Sequence, residues 1–255
     1  MSQTAAKPTI VLIQGAFQLP DVYYKLANAL RDYGYPVVQP LLPSLTGHDE
    51  PDFILKSLED DARVVRSEIR KLVDEGKQVF VIAHSYGGLV GTEAVTEDLA
   101  AQYRQSSGLP GGVVHLLYFA AVIMSKGQSV LNTYGVPPNH TVEPDGRFIV
   151  ENTAEVLYHD LHDDEAKDWA SKTLHQAPKA LGFALTNEAY RHVPTSYMIC
   201  ERDRGLNGDF QRMFGASAGS KILSMDCGHS PMLSHTSEFV EIVDEVVKSA
   251  VGGSI

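Results

Sequence analysis

Val79-Phe80-Val81-Ile82-Ala83-His84-Ser85-Tyr86-Gly87-Gly88-Leu89-Val90 is the stretch that decides how this chain folds. An apolar run ends at a serine, and a helical pattern starts at once beyond two glycines. Such a run reads as a strand buried on both faces, which a parallel sheet provides. In a strand-to-helix turn this tight, the residues two before and two after the serine must be small. Ala83 and Gly87 meet that condition. The pattern is that of a nucleophile elbow: Ser85 is held in a strained conformation at the top of a sheet, where the free N–H groups of the next helix favour a developing anion. A bare Ser-x-Gly is more often a plain turn with a solvated serine. The strand before it and the paired glycines after it argue for the elbow.

Outward from this point the chain alternates between the two periodicities. Strands are expected at residues 9–13, 36–39, 79–83, 113–120, 196–200 and 221–225. Helical spacing marks residues 22–33, 52–75, 88–100, 209–214 and 236–250. Strand–helix alternation with buried runs implies an α/β fold, with a mostly parallel sheet covered by helices on both faces. One segment breaks the rhythm. Residues 125–192 hold no long buried strand, only a hairpin at 141–143 and 147–150 around Pro144-Asp145-Gly146, and helices at 163–174 and 180–191. An insertion of this size reads as a lid. The expected organisation is a core of residues 1–124 and 193–255 and a lid of residues 125–192.

The 255 residues carry 21 Lys and Arg against 32 Asp and Glu, a net charge of −11. That balance excludes nucleic acid and an anionic membrane as main partners, because both need a positive face. Residues 113–124, the longest apolar stretch, are too few to span a bilayer. The opening residues Met1 to Pro8 lack the apolar core of a signal peptide. Two cysteines, Cys200 and Cys227, make no disulfide framework and read as reduced, buried thiols. A cytoplasmic location follows from these features. No phosphate loop or dinucleotide fingerprint is present, so no cofactor is expected. His159-Asp160-Leu161-His162-Asp163-Asp164 has the residue types of a metal site but not the spacing of one, and acidic residues are expected at a helix start.

A serine hydroxyl needs a base, and the base needs an orienting carboxylate. His229, in Cys227-Gly228-His229-Ser230-Pro231, follows the last strand directly. For the acid, Asp203 stands three residues past Cys200, far enough to reach across to His229. Glu201 is its rival and Asp226 a weaker third.

Ala83-His84-Ser85-Tyr86-Gly87-Gly88, Tyr197-Met198-Ile199-Cys200-Glu201-Arg202-Asp203 and Cys227-Gly228-His229-Ser230-Pro231-Met232-Leu233-Ser234 together resemble the α/β-hydrolase superfamily. They are most similar to its salicylate-esterase, methylesterase and hydroxynitrile-lyase branch, over nearly the whole chain. The resemblance implies the α/β-hydrolase fold with an inserted lid, and Ser85, Asp203 and His229 as a catalytic triad. It also implies an oxyanion hole from the backbone N–H groups of Ala16 and Tyr86. Ala83 departs from the usual glycine, and Gln14 stands where many relatives have histidine. The lyases of the branch carry lysine after the catalytic histidine and tend to have threonine at the end of the first strand. Ser230 and Gly15 occupy those positions here, and both side with the esterases.

The expected activity is therefore hydrolysis of a small, largely apolar ester or lactone. A lyase or cyclase step on the same triad and a hydrolase-fold receptor are the alternatives. Among candidate pocket walls, which also include Phe183 and Met232, Phe17 and Trp169 are the expected substrate contacts. The partners expected are the small-molecule substrate and, at most, a second copy of the chain in a homodimer.

Overall fold

The run of β-branched residues at Thr9–Ile13 forms β1, buried along its whole length. In the computed structural model residues 7–252 are described. The start of the polar lead before Lys7 and the core's last three residues lie outside that range. A 3₁₀ turn at Pro20–Tyr23 leads into α1 (Tyr24–Asp32), and β2 is the short pair Val37–Val38. Helix α2 (Leu58–Asp74) precedes β3 (Gln78–His84), and α3 (Gly87–Ala94) follows the elbow. Then come α4 (Ala101–Ser106) and β4 (Gly112–Phe119). The inserted segment holds α5 (Val130–Tyr134), the antiparallel pair β5 (His140–Val142) and β6 (Phe148–Val150), α6 (Thr153–Leu157), α7 (Asp163–Ser171) and α8 (Pro178–Gly182). The chain returns to the sheet with β7 (Thr195–Cys200), α9 (Gly208–Ser217) and β8 (Lys221–Met225), and ends with α10 (Pro231–Ser234) and α11 (Thr236–Gly252).

Six strands pair in the order β2-β1-β3-β4-β7-β8, every pair parallel. The register sets Ile13 beside Ala83, His84 beside Phe119 and Cys200 beside Met225. The carboxyl ends therefore finish at one edge, so the loops after β1, β3, β7 and β8 open onto the same side, where ligands bind in open α/β sheets.

Several helix boundaries differ from the sequence expectation, each for a local reason. Helix α2 starts later than residue 52 because Ser57 caps it. The Asp60 carboxylate accepts the Ser57 N–H at 2.8 Å, closing a capping box. Helix α3 stops at Ala94 instead of continuing to residue 100. The Arg66 guanidinium donates to the Glu93 and Ala94 carbonyls at 2.9 and 3.2 Å, and the Asn187 amide donates to those of Thr92 and Val95. These bonds satisfy the end carbonyls that a longer helix would have used. Residues 180–191 are not one helix. Between α8 and a 3₁₀ turn at Ala189–Arg191, the N–H groups of Thr186 and Asn187 are held by buried Glu93.

Gly87 shows how closely the elbow packs. A Cβ there would lie 2.6 Å from the Gln14 carbonyl oxygen and 2.7 Å from that of Ile13, both backbone atoms that cannot step aside. Gly91, one turn on, would meet the flexible end of Ile13 at 3.3 Å and Ala83 Cβ at an ordinary 3.5 Å. Gly87→Ala is expected to destabilise the fold by about 2–4 kcal/mol. Gly91→Ala should stay near zero, because a helix-propensity gain of about 1 kcal/mol offsets the tighter contact. Urea denaturation of the two variants checks this, and equal losses would show that the Gly87 approach is not limiting.

Candidate active site

Ser85 has φ 51°, a left-handed conformation that a side-chain-bearing residue adopts only under constraint. The constraint is visible in its backbone. Its N–H donates to the Phe119 carbonyl at 3.3 Å, and its own carbonyl accepts from Gly88 and Val122 at 2.9 and 3.1 Å. Ser85 lines a cavity of about 110 Å³ together with His229, Ala16, Phe17 and Tyr86. The N–H groups of Ala16 and Tyr86 take no part in the backbone hydrogen bonds of the surrounding loops.

The carboxylate question resolves on geometry. Asp203 Oδ2 lies 2.8 Å from His229 Nδ1, and the Asp203 side chain is fully buried. Its other oxygen accepts the N–H groups of Gly205 and Leu206 at 2.7 and 2.9 Å, and Gln211 Nε2 donates to Oδ2 at 2.9 Å. Glu201 instead turns outward to Arg212, and Asp226 to Arg202, on the surface. A carboxylate three residues past the strand end reaches the histidine. One still beside the strand end points away from it.

Three arrangements around the site were not read from the sequence. The first centres on His84. Its Nε2 lies 2.9 Å from the His229 carbonyl and its Nδ1 2.6 Å from the Tyr23 hydroxyl, which accepts the Gly15 N–H at 2.7 Å. A carbonyl only accepts, so Nε2 carries the proton and Nδ1 is left to accept. Burial holds the His84 pKa well below the usual histidine value, which keeps the ring neutral. The second is Asp61 on α2. It accepts the Tyr86 hydroxyl at 2.7 Å and the Ser44 N–H at 2.9 Å, and so fixes the residue that follows Ser85. An acid on the buried stripe of α2, three residues after Leu58, was the signal in the sequence. The third is Asp160, from the acidic run set aside as a metal site. Its carboxylate accepts the Gly228 N–H at 2.6 Å and the Ser234 hydroxyl at 2.9 Å. Among the described residues no group of His, Cys, Asp and Glu is arranged to hold a metal.

Residues of the inserted segment, including Val130, His140, Val150, Leu157 and Leu181, form the cavity's far wall. Phe17 lines the cavity, with its ring 5.2 Å from that of His140. His140 Nδ1 sits 2.8 Å from the Pro138 carbonyl, and burial lowers its pKa. Trp169 was expected here and is elsewhere. It packs against Tyr24 of α1, ring centroids 6.2 Å apart, with the Lys172 ammonium 4.5 Å from its ring. Helix α7 packs on α6, and it reaches α1 through Trp169 and through the Lys25–Glu165 pair at 2.8 Å. Phe183 and Met232 do not line the cavity either. Cys200 and Cys227 are free and buried, and Cys200 is held as a thiol by the neighbouring Cys227 and by burial.

The model of the alpha/beta hydrolase family matches residues 10–242. An alpha/beta hydrolase of Aspergillus novofumigatus is 25% identical over 262 residues, spanning 98% of both chains. A methyl jasmonate esterase of Vitis vinifera is 26% identical, over 94% of this chain and 96% of that one. Among solved structures, a pyrethroid hydrolase from Sphingobium faniae gives a TM-score of 0.74 at 19% identity, covering 96% of this chain and 99% of its own. Polyneuridine aldehyde esterase gives 0.74 at 17% identity, over 94% and 99%. At those identities the structural likeness is one of fold. No helix among the described residues is long and apolar enough to cross a membrane.

Asp61 makes the support of Tyr86 sensitive to pH. Burial pushes its carboxyl up from 3.8 to about 6, against the opposing pull of the hydrogen bonds from Ser44 and Tyr86. The folded state therefore binds this proton more tightly than the unfolded chain does. The stabilisation is complete below the unfolded value and is lost as pH rises through about 6. Buried His84 and His115 act with the opposite sign, but they are common to both proteins in a comparison with Asp61→Asn. From about pH 4 to 7 the melting temperature of the native protein should fall relative to that of Asp61→Asn. Parallel curves would mean that Asp61 does not titrate in this range.

Proposed function

Because the chain belongs to the alpha/beta hydrolase family, we propose that it hydrolyses a small, largely apolar carboxylic ester or lactone through an acyl-enzyme. The observation that carries this reading is the 2.8 Å contact of Asp203 with His229, in a cavity His229 shares with the strained Ser85. In this mechanism Ser85 Oγ attacks the carbonyl carbon while His229 Nε2 takes its proton. Asp203 holds the proton on Nδ1 and stabilises the imidazolium that forms. The carbonyl oxygen, now an anion, is received by the Ala16 and Tyr86 N–H groups, each such donor contributing about 2.7–4 kcal/mol to the transition state. His229 returns the proton to the leaving alcohol. Water, activated by the same imidazole, then releases the acid and restores Ser85. No cofactor enters these steps.

Crowding at Gly15 favours hydrolysis over a lyase step. A Cβ there would stand 3.0 Å from both His84 Nδ1 and Ser85 Cβ, so the threonine found in the lyases has no ready place. The free thiols of Cys200 and Cys227 suit a reducing compartment, and the cytoplasm is the location we assign.

Ser85→Ala should fold normally and lose activity on an ester panel by about 10⁴-fold or more. Asp203→Asn should cost about 10⁴-fold through loss of the productive tautomer, while Glu201→Gln stays near the native rate. Reversed penalties for the two carboxylates would displace Asp203 from its role. Turnover in oxygen-18 water should place one label in the acid product, and an unlabelled product would favour the lyase or cyclase.

A further inference from the structure

The catalytic cavity does not end at its own walls. A second cavity of about 410 Å³ adjoins it, and the two have Val122, Val130, Pro137, Gly205 and Leu206 in common. The outer cavity is faced by three aromatic rings drawn from both sides of the seam between insertion and core. Tyr134 ends α5, and Phe210 and Phe214 lie on α9. Tyr134 meets Phe210 edge-on at 5.7 Å and 83°, and Phe214 at 6.4 Å and 79°. Phe210 and Phe214 are nearly parallel, 6.2 Å apart at 29°. Tyr134 and Phe210 remain 46% and 45% exposed, as solvent-facing apolar surface beside the entrance. An exposed aromatic cluster of this kind is uncommon on a surface with no ligand to cover it.

The geometry points to this aromatic vestibule as a substrate subsite, one that receives a flat, ring-bearing apolar part of the ester while the reacting carbonyl sits in the inner cavity. This rests on the ester-hydrolase reading and specifies its substrate class. Three observations carry it. The inner cavity has room for only a small group, so a larger molecule that reaches Ser85 must lodge its remainder outside. The shared walls make the vestibule the adjoining space, and its volume is that of a ligand site. The rings offer edges and faces at right angles, the arrangement in which a third aromatic ring finds favourable contacts on two sides. Pro137 touches both cavities, with Asn139 facing the outer one and His140 the inner, so the turn between α5 and β5 forms the neck. The bound part of the substrate can be the acyl chain or the alcohol, because both are bonded to the reacting carbonyl group.

Two probes separate those sources. 2-Naphthyl acetate carries the ring on the alcohol and methyl 2-naphthylacetate carries it on the acyl side, with ethyl acetate as the reference without a ring. For Phe210→Ala and Tyr134→Ala, the ratio of kcat/KM on one naphthyl ester to that on ethyl acetate should fall at least about tenfold, chiefly through KM. Phe210→Tyr should restore it. The affected ester identifies which part of the substrate the vestibule holds. Equal losses on all three esters with a lowered Tm would mean the rings serve packing only, and would overturn the subsite. So would an unchanged ratio accompanied by conversion of a dimer to a monomer in sedimentation, which would make this face a contact with a second copy of the chain. Binding of methyl 2-naphthylacetate to Ser85→Ala, followed by calorimetry, keeps the two readings apart. Binding weakened at least about tenfold by Phe210→Ala, in a protein whose native form turns over no ester, would support the vestibule and refute the hydrolase. Turnover without ring dependence would do the reverse.

Discussion

At Gly87 the first turn of α3 lies so close to the end of β1 that no carbon atom fits between them. Much of the site depends on this contact. It fixes where the helix begins and forces Ser85 into its left-handed conformation. It brings the Tyr86 N–H, at the head of α3, to the same cavity as Ala16 at the end of β1. Gly88 extends the constraint to the chain just past β4, since a Cβ there would stand 2.5 Å from the Val122 carbonyl oxygen. Three neighbouring strands are thereby locked together at their carboxyl ends. An oxyanion hole needs donors that do not have to move when charge appears, and close backbone packing supplies that rigidity more cheaply than side chains could.

A second fastening runs through the His84 imidazole. Through Tyr23 it holds the Gly15 N–H, and directly it holds the His229 carbonyl, so the loops that bear Ala16 and His229 hang from one ring. The ring stacks on Phe119 at 4.5 Å, which excludes water from one face. Neutrality is part of the design. A protonated His84 would present a donor at Nδ1, and the Tyr23 hydroxyl would then have to turn its own proton to Gln18 Oε1, 2.8 Å away.

The sheet was legible because its strands are short, mostly apolar runs between helical patterns, and Ser85, Asp203 and His229 stood out because each lies just past a strand end. The choice of Asp203 over Glu201 and Asp226 rested on reach alone, and it is Asp203 that meets His229. Helix ends were less legible. That of α3 is set by Arg66 and Asn187, residues far away in sequence, and that of α2 by whether Ser57 or Asp52 takes the cap. The inserted segment was the hardest to read. Its elements are short, and they are held largely by contacts with one another, β5 with β6, α6 with α7 and α5 with α8, rather than by their own periodicity. Trp169 illustrates this, since its spacing shows a buried face but not that α1, rather than the cavity, lies opposite. Tyr23 and Asp61 were visible as residues on apolar stripes, yet only their hydrogen-bond partners reveal what they hold.

Asp160 belongs to the inserted segment, and its hydrogen bonds end on the loop that carries His229, at Gly228, and on the helix just after it, at Ser234 of α10. The backbone at Gly228 admits this approach only because it lacks a side chain, for a Cβ would lie 2.7 Å from the carboxylate. Residues 125–192 and the chain on either side of His229 are thus fastened at one carboxylate. Any displacement of Asp160 would release Gly228 and Ser234 together, one on each side of the imidazole, so the position of His229 is tied to that of a segment far from it in sequence.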